Sequence, residues 1–309
     1  MKPAASVLLL TTLTGFGYGL LAWLALFALL GLLPGSRWFM PVGVVVALGF
    51  AASGLIASML HLGRPERAWR AFSQWRSSWL SREGVASLVT FPPALGFAAL
   101  WWVMGPGPVT VIVGLIAAAL GLVTVYCTAM IYASLKPIRQ WNNKHTAPNY
   151  MLLALFSGAM LLALLLACWT GQAGLAGLLV LVAGLLAAAA KLAYWRFIDT
   201  QKPLATLASA TGLKEYGAVR PLDAPHFTEN YVLREMGYQI ARKHAAKLRR
   251  ITLATAFLLP ALLALLAGLG LVPALLIILA TLLTAMGLFI ERWLFFAEAT
   301  HVATLYYGR

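Results

Sequence analysis

Residues 150–196 read YMLLALFSGAMLLALLLACWT, then Gly171-Gln172-Ala173-Gly174, then LAGLLVLVAGLLAAAAKLAYWR. Each flank holds about 20 predominantly apolar residues, the length a helix needs to cross a hydrocarbon layer roughly 30 Å thick. The four residues between them are turn formers. The reading is therefore a helical hairpin that enters the membrane and comes back. The same pattern recurs outward in both directions. It predicts spans near 6–33, 40–60, 84–104, 109–132, 150–170, 175–196, 250–270 and 272–295. Tight turns at Gly105-Pro106-Gly107-Pro108 and Gly270-Leu271-Val272-Pro273 join two further pairs. There is no internal repeat and no barrel-type alternation. The fold class is an all-α integral membrane protein, a single domain of about eight transmembrane helices.

Composition agrees. Hydrophobic residues make up 61% of the protein and charged residues 10%, against roughly half and a quarter in soluble domains. The net charge of +14 would suggest nucleic acid in a soluble protein, but in a membrane protein it marks the loops that stay inside. Three polar segments, 61–83, 133–149 and 197–249, fall on one side with both termini. Every lysine and arginine lies on that side except Arg37 and Arg292, with Lys191 and Arg196 counted as flanking the third segment. This predicts an inner-membrane protein whose termini and long loops are cytoplasmic. Lys2 precedes an apolar run too long for a signal sequence, so the first helix is expected to be retained. Cys127 and Cys168 sit in apolar runs without a ligand pattern and are expected to be inert core residues.

Chemistry is concentrated in residues 61–83, HLGRPERAWRAFSQWRSSWLSRE. Pro65 suits a helix start. At 100° per residue Trp69, Phe72, Trp75 and Trp79 share one face, and Arg64, Arg67 and Arg70 fall largely on another. The segment reads as an interfacial amphipathic helix. Ser81 can cap the third span, with Glu83 in its first turn. The arginines and tryptophans are open to a plain reading as positive-inside charge and aromatic belt. His61 and Glu83 are different, because ionisable groups at a membrane edge are functional candidates. A quinone headgroup needs donors at its carbonyl oxygens and titratable groups that exchange protons. The expected catalytic pair is His61 and Glu83. The expected quinone-binding set is His61, Arg64, Glu83, Trp69, Trp79 and Arg82. His61 would bond one carbonyl, Arg64 would stabilise negative charge, and Glu83 would link the site to water.

The stretch Ala57-Ser58-Met59-Leu60-His61-Leu62-Gly63-Arg64-Pro65, then Arg67-Ala68, then Leu80-Ser81-Arg82-Glu83, resembles the anchor subunit of dimethyl sulfoxide reductase. That resemblance implies eight spans, no haem, a quinol site at His61 and Glu83, and two partners: a molybdopterin catalytic subunit and an iron–sulfur subunit. The loop residues His226-Phe227-Thr228-Glu229-Asn230-Tyr231 and Arg234-Glu235-Met236-Gly237-Tyr238 more closely resemble the membrane subunits of cytoplasmic sulfite dehydrogenases, a branch of the same family. That branch implies delivery of electrons from sulfite to quinone, where the reductase branch takes them from quinol. Read from the residues alone, 197–249 is either a solvated linker with a short amphipathic helix near 229–247 or a docking surface for the iron–sulfur partner, with Tyr216, Phe227, Tyr231 and Tyr238 suited to an interface.

The five histidines, His61, His145, His226, His244 and His301, lie in loops or at span ends, so no haem is expected. Neither a zinc nor an iron–sulfur motif is visible in this sequence. Glu291 and Glu298, seven apart on the last span with Arg292 and His301 beside them, read either as an ion pair or snorkelling helix end or as a proton pathway. Tyr126 and Tyr132 could touch a quinone or serve as core and belt aromatics. A secondary transporter would need polar or broken mid-membrane helices, which are scarce here. A self-contained membrane enzyme would need a nucleophile, metal or phosphate motif, and none stands out.

Overall fold

A computed structural model describes residues 2–60, 62–223 and 240–307. Eight helices are long and apolar enough to cross a membrane: Ala5–Leu29, Phe39–Met59, Trp79–Met104, Pro108–Ala133, Thr146–Thr170, Leu175–Thr200, His244–Gly268 and Leu276–Ala297. No strand occurs among the described residues. The eight helices are numbered below as the first to eighth spans.

Hydropathy locates every span but misplaces several ends. The first helix stops at Leu29 instead of 33, because Gly31 turns the backbone with φ of 67°. The third starts at Trp79 instead of 84, the fifth at Thr146, and the sixth runs on to Thr200. The seventh grows without a break from a helix that opens at Ile240. These extensions carry polar residues, so an apolar window does not register them. The seventh span also contains a π-helical turn, Leu253–Leu258, just before Pro260. Proline has no N–H and crowds the preceding turn, and a wider turn relieves both problems.

The first span is the most buried of the eight and packs on the second, fourth, fifth and eighth. Its approach to the fifth is closest at Gly19 and Gly158. A Cβ on Gly19 would strike the Ala154 carbonyl, and one on Gly158 would strike the Gly19–Leu20 backbone. In lipid, small residues of this kind let helices gain dispersion contacts that a hydrophobic effect cannot supply. Gly158→Val should therefore lower the melting temperature of the detergent-solubilised protein by several degrees, because overpacking costs roughly 1–3 kcal/mol. Gly35→Val, in open space, is the control. Equal melting of the two variants would remove the close contact as a determinant of the fold.

The polar segments gather at one end of the bundle, the end where the first span begins and the eighth finishes. The loop after the fourth span is pinned there. Trp141 donates to the Phe295 carbonyl at 2.9 Å, Tyr194 to the Gln140 carbonyl at 3.1 Å, and Asn142 to the Ala133 carbonyl at 2.5 Å. Cys127 is buried as expected, but Cys168 is exposed. It sits in the last turn of the fifth span, at the opposite end, where neighbouring helices no longer cover it.

Candidate functional site

At the basic end, Pro65–Gln74 is a 3-10 helix, not an α-helix. The aromatic face survives the change. With three residues per turn, positions three apart eclipse, so Trp69, Phe72 and Trp75 still line up. Trp69 and Trp75 are exposed, while Phe72 turns inward under Gly84. Arg64 and Arg67 are exposed on the other side. Ser78, not Ser81, caps the third span, its hydroxyl accepting the Ser81 N–H at 3.4 Å. Glu83 therefore lies in the second turn, and the helix carries it into the bundle.

Three of the expected site residues come together here. Arg82 stacks its guanidinium over Trp79 at 4.3 Å and donates to the carbonyls of Trp75 (2.9 Å) and Arg76 (2.7 Å). It ties the 3-10 helix to the third span. Trp79 meets the Tyr126 ring edge-on at 6.1 Å, and Tyr126 remains 43% exposed at the lipid-facing rim. Glu83 is 3% exposed and accepts the Thr128 hydroxyl proton at 2.6 Å. Arg64 stands apart on the surface, and Trp69 stacks only with Arg70, at 5.6 Å. His61 lies outside the described residues, as does His226–Tyr238 of the long loop. Of the two tyrosines, Tyr126 is the rim residue. Tyr132 is core, enclosed by Trp141, Tyr150, Phe295 and Phe296.

Behind Glu83 the interior is unexpectedly polar. A cavity of about 20 Å³ is lined by Thr12, Thr128, Tyr150, Ser157 and Arg292, among others. That is room for about one water molecule. Arg292 lies over the Tyr150 ring at 3.9 Å and reaches Glu291 at 3.4 Å. Glu291 pairs with Lys191 of the sixth span, and both are essentially inaccessible. Lys191 is thus not a loop-flanking charge but a buried one. Near the surface, Glu298 accepts from Arg249 at 2.8 Å, and Arg249 also holds the half-exposed Asp199 at 2.6 Å. Burial raises the Glu298 carboxyl above its ordinary range, against the pull of Arg249 and Lys191.

The ion-pair reading of Glu291 and Glu298 is therefore met, with partners, Lys191 and Arg249, that sequence reasoning missed. Lys191 carried a signal, since it stands more than one turn inside the span predicted to end at 196. Thr128 carried none. The long loop holds a short helix, Leu207–Thr211, opened by a Thr206–Ser209 capping box. Among the described residues after it, a helix runs over Ile240–Thr252.

This is a multi-pass membrane protein with an ionisable interior opening towards one polar, basic end. The sequence family described as DMSO reductase anchor subunit (DmsC) matches residues 1–308, and the protein belongs to it. The resemblance first carried by residues 57–83 thus extends over the whole length. The protein is 34% identical to the C component of the sulfite dehydrogenase of Allochromatium vinosum, over 99% of both sequences. It is 32% identical to the C component of the anaerobic dimethyl sulfoxide reductase of Haemophilus influenzae, over 41% of this sequence and 45% of that one. It is 33% identical to the anaerobic dimethyl sulfoxide reductase component YnfH of Escherichia coli, over 37% and 40%.

Proposed function

We propose that this protein is the quinone-reactive anchor of a molybdopterin and iron–sulfur oxidoreductase in the inner membrane, passing electrons from sulfite oxidation to the quinone pool. The observation that carries the reading is Glu83: a carboxyl buried inside the membrane at the basic end, one helical turn below the partly exposed Trp79–Tyr126 rim. The donor set suits a quinone. A flat amphipathic rim at the lipid boundary receives a ring, and a hydrogen-bonded carboxyl behind it exchanges protons. The end-to-end similarity to the sulfite dehydrogenase component, against partial matches to the two reductase components, favours electron flow towards quinone over quinol oxidation.

A bound quinone would supply the two-electron, two-proton chemistry. The protein's residues do the rest. Trp79 and Tyr126 shape the approach from lipid. Arg82 holds the interfacial segment against the third span and places positive charge at the rim. Glu83 gives up and regains a proton. His61, two residues after Met59 in the sequence, is assigned the bond to a headgroup carbonyl. The exposed Tyr216 and Leu222, in the long loop at the same end, offer contact area to an iron–sulfur partner. The basic end faces the cytoplasm on the positive-inside rule.

The test is made on the complex isolated from native membranes. It should carry two soluble subunits and a quinone. Trp79→Ala should weaken the affinity for a quinone analogue about three- to tenfold, the scale of one aromatic contact, with dye-linked activity of the soluble subunits unchanged. A quinone affinity indifferent to Trp79→Ala and His61→Ala alike would sink the assignment.

A further inference from the structure

The buried ions beneath the rim are more numerous than an anchor needs. Lys191, Glu291, Arg292, Arg249, Glu298 and Asp199 run from the basic surface into the bundle, three cations beside three carboxylates. Ionisable groups at this depth are costly to place in a membrane, and apolar replacements of buried ion pairs are often no less stable. Packing alone therefore does not account for them. Three observations give the group a direction. It begins at solvent, where Asp199 is 55% exposed on its side chain. It keeps unspent acceptor capacity on the way, since one oxygen of Glu298 is buried with no hydrogen-bond partner. It ends at the cavity that Arg292 and Tyr150 share with Thr128, whose hydroxyl is bonded to Glu83. The buried Thr12 hydroxyl on the same cavity wall is also without a partner, as a site for a bridging water would be.

We propose that Glu83 is supplied with protons through the protein interior, along a file from Asp199 to Glu298, then Glu291, then the Thr128–Tyr150 cavity. This rests on the reading of Glu83 as the carboxyl that serves the quinone. Arg249 and Arg292 are positioning residues, because arginine does not give up its proton, and Lys191 holds Glu291 in place. Arg249 holds Asp199 and Glu298 together. Lys191 pairs with Glu291, and Glu298 stands two turns further along the same helix, roughly 10 Å away. Arg292 orients Glu291 on one side and Tyr150 on the other. Each proton that Glu83 passes to a reduced carbonyl oxygen is replaced from the file, and bulk water refills the file at Asp199. Two protons move for each pair of electrons arriving from the partner's iron–sulfur clusters, and every residue returns to its starting state.

The experiment uses the intact complex with Glu298→Gln, which preserves shape and a bond to Arg249, and Asp199→Asn. Quinone-linked turnover of Glu298→Gln should fall about tenfold. Proton uptake followed with an indicator dye should slow in step. Quinone affinity, melting temperature and dye-linked activity should stay at wild-type values. Azide or formate, small weak acids that ferry protons, should restore much of the rate, which a structural role would not permit. Asp199→Asn should show a smaller loss of the same kind. Wild-type turnover and proton uptake in Glu298→Gln, alongside a crippled Glu83→Gln, would overturn the file and leave the quinone site standing. A loss in Glu298→Gln that azide does not rescue, with a lowered melting temperature, would also overturn it. Wild-type turnover in Glu83→Gln would take down the site itself.

Discussion

Glu83→Gln should cut quinone-linked turnover of the assembled complex by roughly 10²–10⁴, the usual contribution of a positioned acid–base group. Dye-linked oxidation by the soluble subunits should be untouched. The substitution is close to isosteric, and glutamine can keep the Thr128 bond through its carbonyl oxygen, so the protein should fold. What is lost is the ability to hold and release a proton where water does not reach, since Glu83 is 3% exposed. Quinone affinity should change far less than rate, because the Trp79–Tyr126 rim is intact. Thr128→Val separates position from chemistry. It removes a bond worth about 1.5–3 kcal/mol if the acceptor is charged but leaves the carboxyl, so it should slow turnover less than Glu83→Gln. A Glu83→Gln complex that reduces quinone at the normal rate would remove this carboxyl from the mechanism.

Much of this architecture is legible in the residues alone. Eight apolar runs announce eight helices because a bilayer leaves the backbone no other way to satisfy its hydrogen bonds. The charge bias places the loops on one side, and the structure gathers them at one end. Glu83, Trp79 and Arg82 stand out by type and spacing, and they do cluster. What stays hidden in the sequence is direction. Hydropathy cannot tell that the third span begins at Trp79, and the earlier start carries Glu83 from the first turn to the second and into the interior. Nor can it pair residues distant along the backbone. Lys191 reads as a loop charge because lysines near span ends usually snorkel to water, and only the side-chain contacts from the sixth span to the eighth show that it turns inward to Glu291. Thr128 looks like any membrane-helix threonine until Glu83 is found beside it.

Lys191→Met should be among the most damaging single changes in the protein. It leaves Glu291 inside the bundle with Arg292 at 3.4 Å as its remaining close cation. Removing one partner of a buried pair typically costs about 3–5 kcal/mol, and here Glu291 stays desolvated with only the longer Arg292 contact to compensate it. The detergent-solubilised complex should melt well below wild type or fail to accumulate. The double variant Lys191→Met/Glu291→Leu removes the pair, leaves Arg292 over the Tyr150 ring at 3.9 Å, and should recover part of that loss, as apolar replacements of buried pairs commonly do. The coupling read from the double-mutant cycle should then be large. If the double variant is no more stable than the single one, the two side chains are not energetically coupled. The recovered protein also separates two roles for the pair. A stable double variant with normal quinone-linked turnover would make Lys191 and Glu291 a clamp between the sixth and eighth spans and nothing more. A stable double variant that binds quinone but turns over slowly is the expected result, because the recovered stability comes from removing the carboxylate that Lys191 had matched and the lost rate comes from the missing proton carrier.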